Sequence, residues 1–189
     1  MARRRGREDR RAARADCAGT TGKSQSGVCT AVPPTRGFRA GRARSFLAQG
    51  LLEAVKGIAD TGFLVAFANR DDAHHAWAVG LAARVTDPLL TCEAVLAETA
   101  FHLRSVVITL AMLRDGLVTI AFVCNDHLPQ LSALAKRFSA RKPDLADLCL
   151  IRMSEMYPRH AVITVDREDF RVYRRNKREV IPLVCPPVE

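Results

Sequence analysis

No stretch of the 189-residue chain approaches 18 uninterrupted apolar residues, which removes a membrane-spanning helix from consideration. The six cysteines form no C-x-x-C pair, so zinc ribbons, zinc fingers and thioredoxin-like redox motifs are excluded. Six in this length are also too few for a disulfide scaffold, and the expected setting is a reducing cytoplasm. Arg3-Arg4-Arg5 could open a secretory signal, but no apolar core follows, and export is not expected. No internal repeat is present. His74-His75 has no H-E-x-x-H around it and reads as surface, and the other histidines are scattered.

What is there is ordinary globular material. Apolar residues make up 48% and charged residues 26%, so a wholly disordered or fibrous chain is excluded. The net charge of +9 misleads as a global figure. Residues 1–57 hold 13 Lys and Arg against 4 Asp and Glu, and from residue 58 the two signs balance at 16 each. A nucleic-acid reading drawn from net charge would thus rest on the first 57 residues alone. Residues 1–54 are Arg-, Gly-, Ser-, Thr- and Pro-rich, with little apolar periodicity, and form a basic extension expected to be disordered. It reads either as an RNA-binding tail or as translated GC-rich upstream DNA, the second being favoured, with Val55 a plausible true start. The folded domain is expected over residues 55–189.

From Val55 onward short strands and helices alternate. Strands are predicted over Lys56–Asp60, Pro88–Thr91, Leu117–Val123, Ala161–Val165 and Val180–Val184. Helices are predicted over Phe63–Ala68, Ala73–Val85, Cys92–Arg104, Val106–Arg114 and Asp144–Tyr157. A further helix, with Asn125 as its N-cap and Asp126 in its first turn, carries Leu128, Leu131, Leu134, Ala135 and Phe138 toward a core. This alternation argues for a layered α/β fold with a parallel sheet.

In such sheets ligands collect beyond the carboxyl ends of the strands. Two strands end in an acid, at Asp60 and Asp166. Asp144 and Asp147 stand three apart at a helix start and project from one face. Glu98 sits in an otherwise apolar helix, an awkward place for an unpaired charge. Taken singly, Asp144 and Asp166 read as helix caps and Glu98 as the partner of an arginine. Taken together, carboxylates converging on one sheet edge repel one another unless a cation sits among them, and such a set suits Mg²⁺ or Mn²⁺.

Four stretches carry a family resemblance: Ile58-Ala59-Asp60-Thr61-Gly62-Phe63-Leu64, Leu90–Phe101 with Glu98, Pro143-Asp144-Leu145-Ala146-Asp147-Leu148, and Val162–Phe170 with Asp166 and Asp169. In this order and spacing the chain resembles a PIN domain, and in particular the VapC-type toxins of bacterial toxin–antitoxin pairs. The resemblance implies a three-layer α/β sandwich with a central, mostly parallel sheet. It implies a catalytic, metal-binding quartet at Asp60, Glu98, Asp147 and Asp166, with Asp144 and Asp169 as further candidate ligands. Thr61 and Thr164 are then expected to orient carboxylates or water. Glu93 falls elsewhere on its helix and reads as a surface charge.

The activity implied is Mg²⁺- or Mn²⁺-dependent endonucleolytic cleavage of RNA by an activated water, leaving 5′-phosphate and 3′-hydroxyl ends. The basic cluster that follows, including Arg171, Arg174, Arg175 and Lys177, reads either as a solvated charged face or as phosphate contacts. A cognate antitoxin and a homodimer are the implied partners, with Trp77 or Phe101 near an interface, and no membrane. The alternative is a catalytically silent PIN-like scaffold or RNA-binding protein with structural acids. A phosphatase-like enzyme is disfavoured, because its nucleophilic Asp is followed two residues later by a second Asp, and Gly62 stands there.

Overall fold

The computed structural model describes residues 55–188; the basic extension over residues 1–54 lies outside them. Five short strands build one sheet: β1 (Gly57–Ala59), β2 (Leu89–Thr91), β3 (Val118–Ile120), β4 (Ala161–Ile163) and, at the C-terminal edge, Leu183–Val184. A separate two-stranded pair, β5 (Arg174–Arg175) with β6 (Glu179–Val180), precedes that last strand, which is therefore β7. The sheet order is β3-β2-β1-β4-β7, and every neighbouring pair is parallel. Parallel strands joined by crossovers need both faces covered, and seven α-helices among the described residues cover them. This is the α/β class that the alternation predicts.

β1 is the centre of the sheet and is buried throughout. Ile58 lies opposite Leu90 on one side and Val162 on the other. Gly57 has no room for a side chain: a Cβ there would stand 2.7 Å from Ile163 Cδ1 and 2.9 Å from the Ala161 carbonyl oxygen. The chain leaves β1 toward β2 and returns to pair β4 on the opposite side. The carboxyl ends of β1 and β4 therefore meet where the winding reverses, the place where such sheets open a crevice.

The helices are α1 (Thr61–Ala68), α2 (His75–Ala82), α3 (Glu93–Leu103), α4 (Val106–Arg114), α5 (Leu128–Arg137), α6 (Leu145–Met156) and α7 (Arg167–Val172). In α6 the predicted inward positions Ala146, Cys149, Leu150 and Met153 are all buried. Trp77 meets Phe63 edge-on at 5.9 Å and belongs to the packing between α1 and α2. Phe101 is 78% exposed.

Three local expectations are corrected. Asn125 does not cap α5: it lies inside a 3₁₀ turn, Cys124–His127, and the helix begins at Leu128. A helix capped at Asn125 would place Pro129 in its fourth position, where a backbone N–H is needed; from Leu128, the proline falls in the first turn, where none is. Leu128 consequently lies 53% exposed, while Leu131 and Leu134 are buried. The strand expected over 117–123 is reduced to Val118–Ile120, because its neighbour among the described residues, β2, is three residues long. The strand expected over 180–184 is two, with Val180 pairing β5 and Leu183–Val184 pairing β4.

Candidate metal centre

The loops leaving β1 and β4, together with the starts of α6 and α7 and the middle of α3, enclose a cleft of about 330 Å³. Asp60, Glu98, Asp144, Asp147, Asp166 and Asp169 all line it. Asp72 and His102 line it as well. The sequence singles out neither as a site residue: Asp72 reads as part of a polar break and His102 as one of the scattered histidines. Asp72 comes from the polar break between α1 and α2, where an acid looks like any loop charge. His102 lies one helical turn beyond Glu98, and only that spacing could have flagged it.

Asp60 ends β1 and caps α1. It is only 9% exposed. Its Oδ1 accepts a hydrogen bond from the Thr61 backbone N–H at 2.7 Å, and its Oδ2 accepts one from the Thr164 hydroxyl at 2.6 Å. The same Thr164 oxygen accepts from the Asp166 N–H at 2.9 Å, so one buried hydroxyl ties the first acid to the backbone of the fourth. Burial pushes the Asp60 carboxyl up to about 6; the bonds from Thr164 and Thr61 work against that, and the charge on Glu98 adds to it.

Glu98 is held from the side. The Thr61 hydroxyl donates to its Oε2 at 2.7 Å, and His102 Nε2 lies 3.8 Å from its Oε1. These are its polar partners among the described residues; the arginine considered for it is not one of them. Glu93, in the first turn of α3, is exposed as expected.

Asp144 caps α6, its Oδ1 accepting from the Asp147 N–H at 2.8 Å. Asp147 sits in that first turn, and the Tyr173 hydroxyl donates to its Oδ2 at 3.1 Å. Burial, then the neighbouring Asp144, push the Asp147 carboxyl up to about 7. Burial and the charge of Asp147 raise the Tyr173 phenol as well, so its hydroxyl stays protonated and a donor. Asp166 caps α7 through the Asp169 N–H at 3.0 Å. Helix capping and convergence on the cleft are thus not rival descriptions: Asp60, Asp144 and Asp166 each spend one oxygen on a helix start and still line the cleft.

The basic residues lie apart from the cleft lining. Arg175 is committed to protein partners: its side chain is 12% exposed, pairs with Glu179 at 3.2 Å and donates to the Ser154 and Pro158 carbonyls at 3.1 Å each. Arg174 turns back onto the Arg171 and Tyr173 carbonyls. Arg171 is exposed and weakly paired with Glu168 at 3.4 Å, and Lys177 is exposed.

The donor set fits a hard divalent cation. It is built of carboxylate oxygens, and two of its members are driven toward the neutral form by burial and like charge, a condition that a cation among them relieves. The acids line the cleft rather than clench it: among the described residues no three carboxylate, imidazole or thiol groups form a ready-made cage. The family model described as PIN domain matches residues 58–176. No curated protein matches the chain.

Proposed function

The chain belongs to the PIN domain family, whose members are generally nucleases and typically bind divalent metals, and on that premise we propose that it is an Mg²⁺- or Mn²⁺-dependent endoribonuclease. The observation that carries the reading is the convergence of Asp60, Glu98, Asp147 and Asp166 on the crevice where the sheet winding reverses. When bound there, the cation supplies a water of lowered pKa and neutralises charge building on the phosphate. Asp60, Glu98, Asp147 and Asp166 would hold it, with Asp144 and Asp169 at the rim. Thr164 and Thr61 keep the Asp60 and Glu98 carboxylates in place. Thr61 carries the one hydroxyl among the lining residues, and that hydroxyl is spent on Glu98. The lining therefore supports attack by water rather than by a side chain; with the P–O3′ bond breaking and the 3′ oxygen leaving, the ends are 5′-phosphate and 3′-hydroxyl.

The setting in our reading is that of a VapC-type toxin in the cytoplasm, silenced by a cognate antitoxin that reaches into the acidic cleft. A homodimer is supported by the exposed apolar surface of α3 and α4, where Phe101, Val106, Val107 and Leu110 face solvent. Trp77 gives no such support, being packed on Phe63. The scaffold reading has one observation in its favour, that Asp60, Asp144 and Asp166 all cap helices.

Cleavage of end-labelled RNA by the full chain, with Mg²⁺ or Mn²⁺ against EDTA, separates the two. We expect metal-dependent cutting, lost in Asp60→Asn and in Asp147→Asn while circular dichroism shows both folded. A folded wild type that neither binds metal nor cuts would leave the scaffold.

A further inference from the structure

We propose that Tyr173 is a positioning residue for the metal centre, fixing Asp147 by occupying one carboxylate oxygen and leaving the other for the cleft. The inference rests on the metal-dependent reading of the site.

Local structure already fixes most of the acids. Asp60 and Asp166 are held as N-caps by backbone N–H groups of the helices they open, and Glu98 is held by Thr61. Asp147 has only a weak local donor, the Asp144 backbone N–H. Its own N–H is spent on Asp144, and the side-chain hydrogen bond to its carboxylate comes from Tyr173, 26 residues away. Without that bond Asp147 is left with the Asp144 N–H alone, the lesser of its two donors.

Tyr173 is built to hold still. It follows α7 directly, is 2% exposed, and is gripped edge-on by Phe138 at 5.1 Å and by Phe170 at 5.7 Å. Phe170 itself lines the cleft. A phenylalanine would fill the same space and keep both ring contacts, so packing alone does not call for the hydroxyl. That hydroxyl has one partner, Asp147 Oδ2. Groups that orient metal-binding carboxylates in this way commonly govern affinity by about 10- to 100-fold.

The test is Mn²⁺ binding to the full chain by calorimetry, for wild type, Tyr173→Phe, Asp147→Asn and the double variant. Tyr173→Phe is expected to melt near wild type and to bind Mn²⁺ about 10-fold more weakly. In RNA cleavage its kcat should fall while KM holds. In the Asp147→Asn background the same change should have no further effect, which a purely structural role would not produce. Phe138→Leu, which loosens the ring but keeps the hydroxyl, is the second variant should Tyr173→Phe not fold; a smaller weakening is expected there. A folded Tyr173→Phe, or failing that Phe138→Leu, that binds Mn²⁺ as wild type does overturns the proposal while the metal reading stands. A wild type that binds no Mn²⁺ overturns both.

Discussion

Asp60 and Asp147 set a stability trend with a definite sign. Their carboxyls titrate near 6 and 7 in the folded protein, above the ordinary aspartate value of 3.8. Between those values the folded state holds more protons than the unfolded one, so stability from these two groups is complete below about pH 4 and drains away as pH rises to about 7. In EDTA, the melting temperature of Asp60→Asn or Asp147→Asn should therefore fall less than that of wild type between pH 5 and pH 7.5. Parallel curves for all three proteins would falsify the assignment. Added Mn²⁺ should raise the melting temperature of wild type, more at pH 7.5 than at pH 5, because proton and cation compete for the same oxygens.

Thr164 acts on the same carboxylate from outside the cleft. It is fully buried, donates to Asp60 and accepts from the Asp166 N–H, so Thr164→Val removes a donor to a buried acid and strands a backbone N–H. A hydrogen bond to a charged group contributes about 1.5–3 kcal/mol, and a loss of that order is expected in chemical unfolding. The Asp60 carboxyl should then titrate above its wild-type value, which carbon-detected NMR reads directly. The acids were visible in the sequence, and the resemblance offered Thr164 as a residue that orients a carboxylate or water, but which acid it reaches was not legible: Thr164 and Asp60 are 104 residues apart, and only the β1–β4 pairing brings them together.

At the scale of elements, what was legible is what local physics decides. The strand–helix alternation, the apolar face of α6 and the capping roles of Asp144 and Asp166 follow from periodicity and short-range hydrogen bonding, and the structure carries them. The β5–β6 pair was not legible, because Arg174-Arg175-Asn176-Lys177-Arg178-Glu179 shows no apolar alternation. Contacts with α6 and the turn that follows it tie it down instead: Arg175 donates to the carbonyls of Ser154 and Pro158, and the Asn176 N–H donates to Glu155 at 3.0 Å. Asn176 and Lys177 both take positive φ to close the turn, a conformation that lysine seldom signals in sequence. Close packing at the sheet centre yields a second element-level expectation. Gly57→Ala forces β1 away from β4, since the added carbon meets both Ile163 and a backbone oxygen. Overpacking of this kind costs about 1–3 kcal/mol, and thermal melting together with loss of metal binding should report it, because Asp60 rides on the end of the displaced strand.

Across the whole molecule the difficulty is to bring an anionic polymer to a cleft lined by seven carboxylates. Beyond residue 58 the charges cancel, so attraction must come from where the cations sit rather than from how many there are. Arg171 follows Asp166 and Asp169 on α7, the helix whose first turn meets the cleft, and it borders a second depression with Arg167 and Cys185. Arg171, only weakly paired with Glu168, and Lys177 are exposed and can turn to phosphate, whereas Arg175 is spent on Glu179 and two carbonyls. Binding of single-stranded RNA, followed by fluorescence anisotropy over a salt series, should divide them. Arg171→Gln and Lys177→Gln should each weaken binding and reduce the slope of log affinity against log salt by about one. Arg175→Gln should leave that slope alone and instead lower the melting temperature, because it releases the hairpin from α6. If Arg175→Gln alone changed the slope, the RNA path would have to cross the hairpin, and the commitment of Arg175 to Glu179 would have to give way when RNA binds.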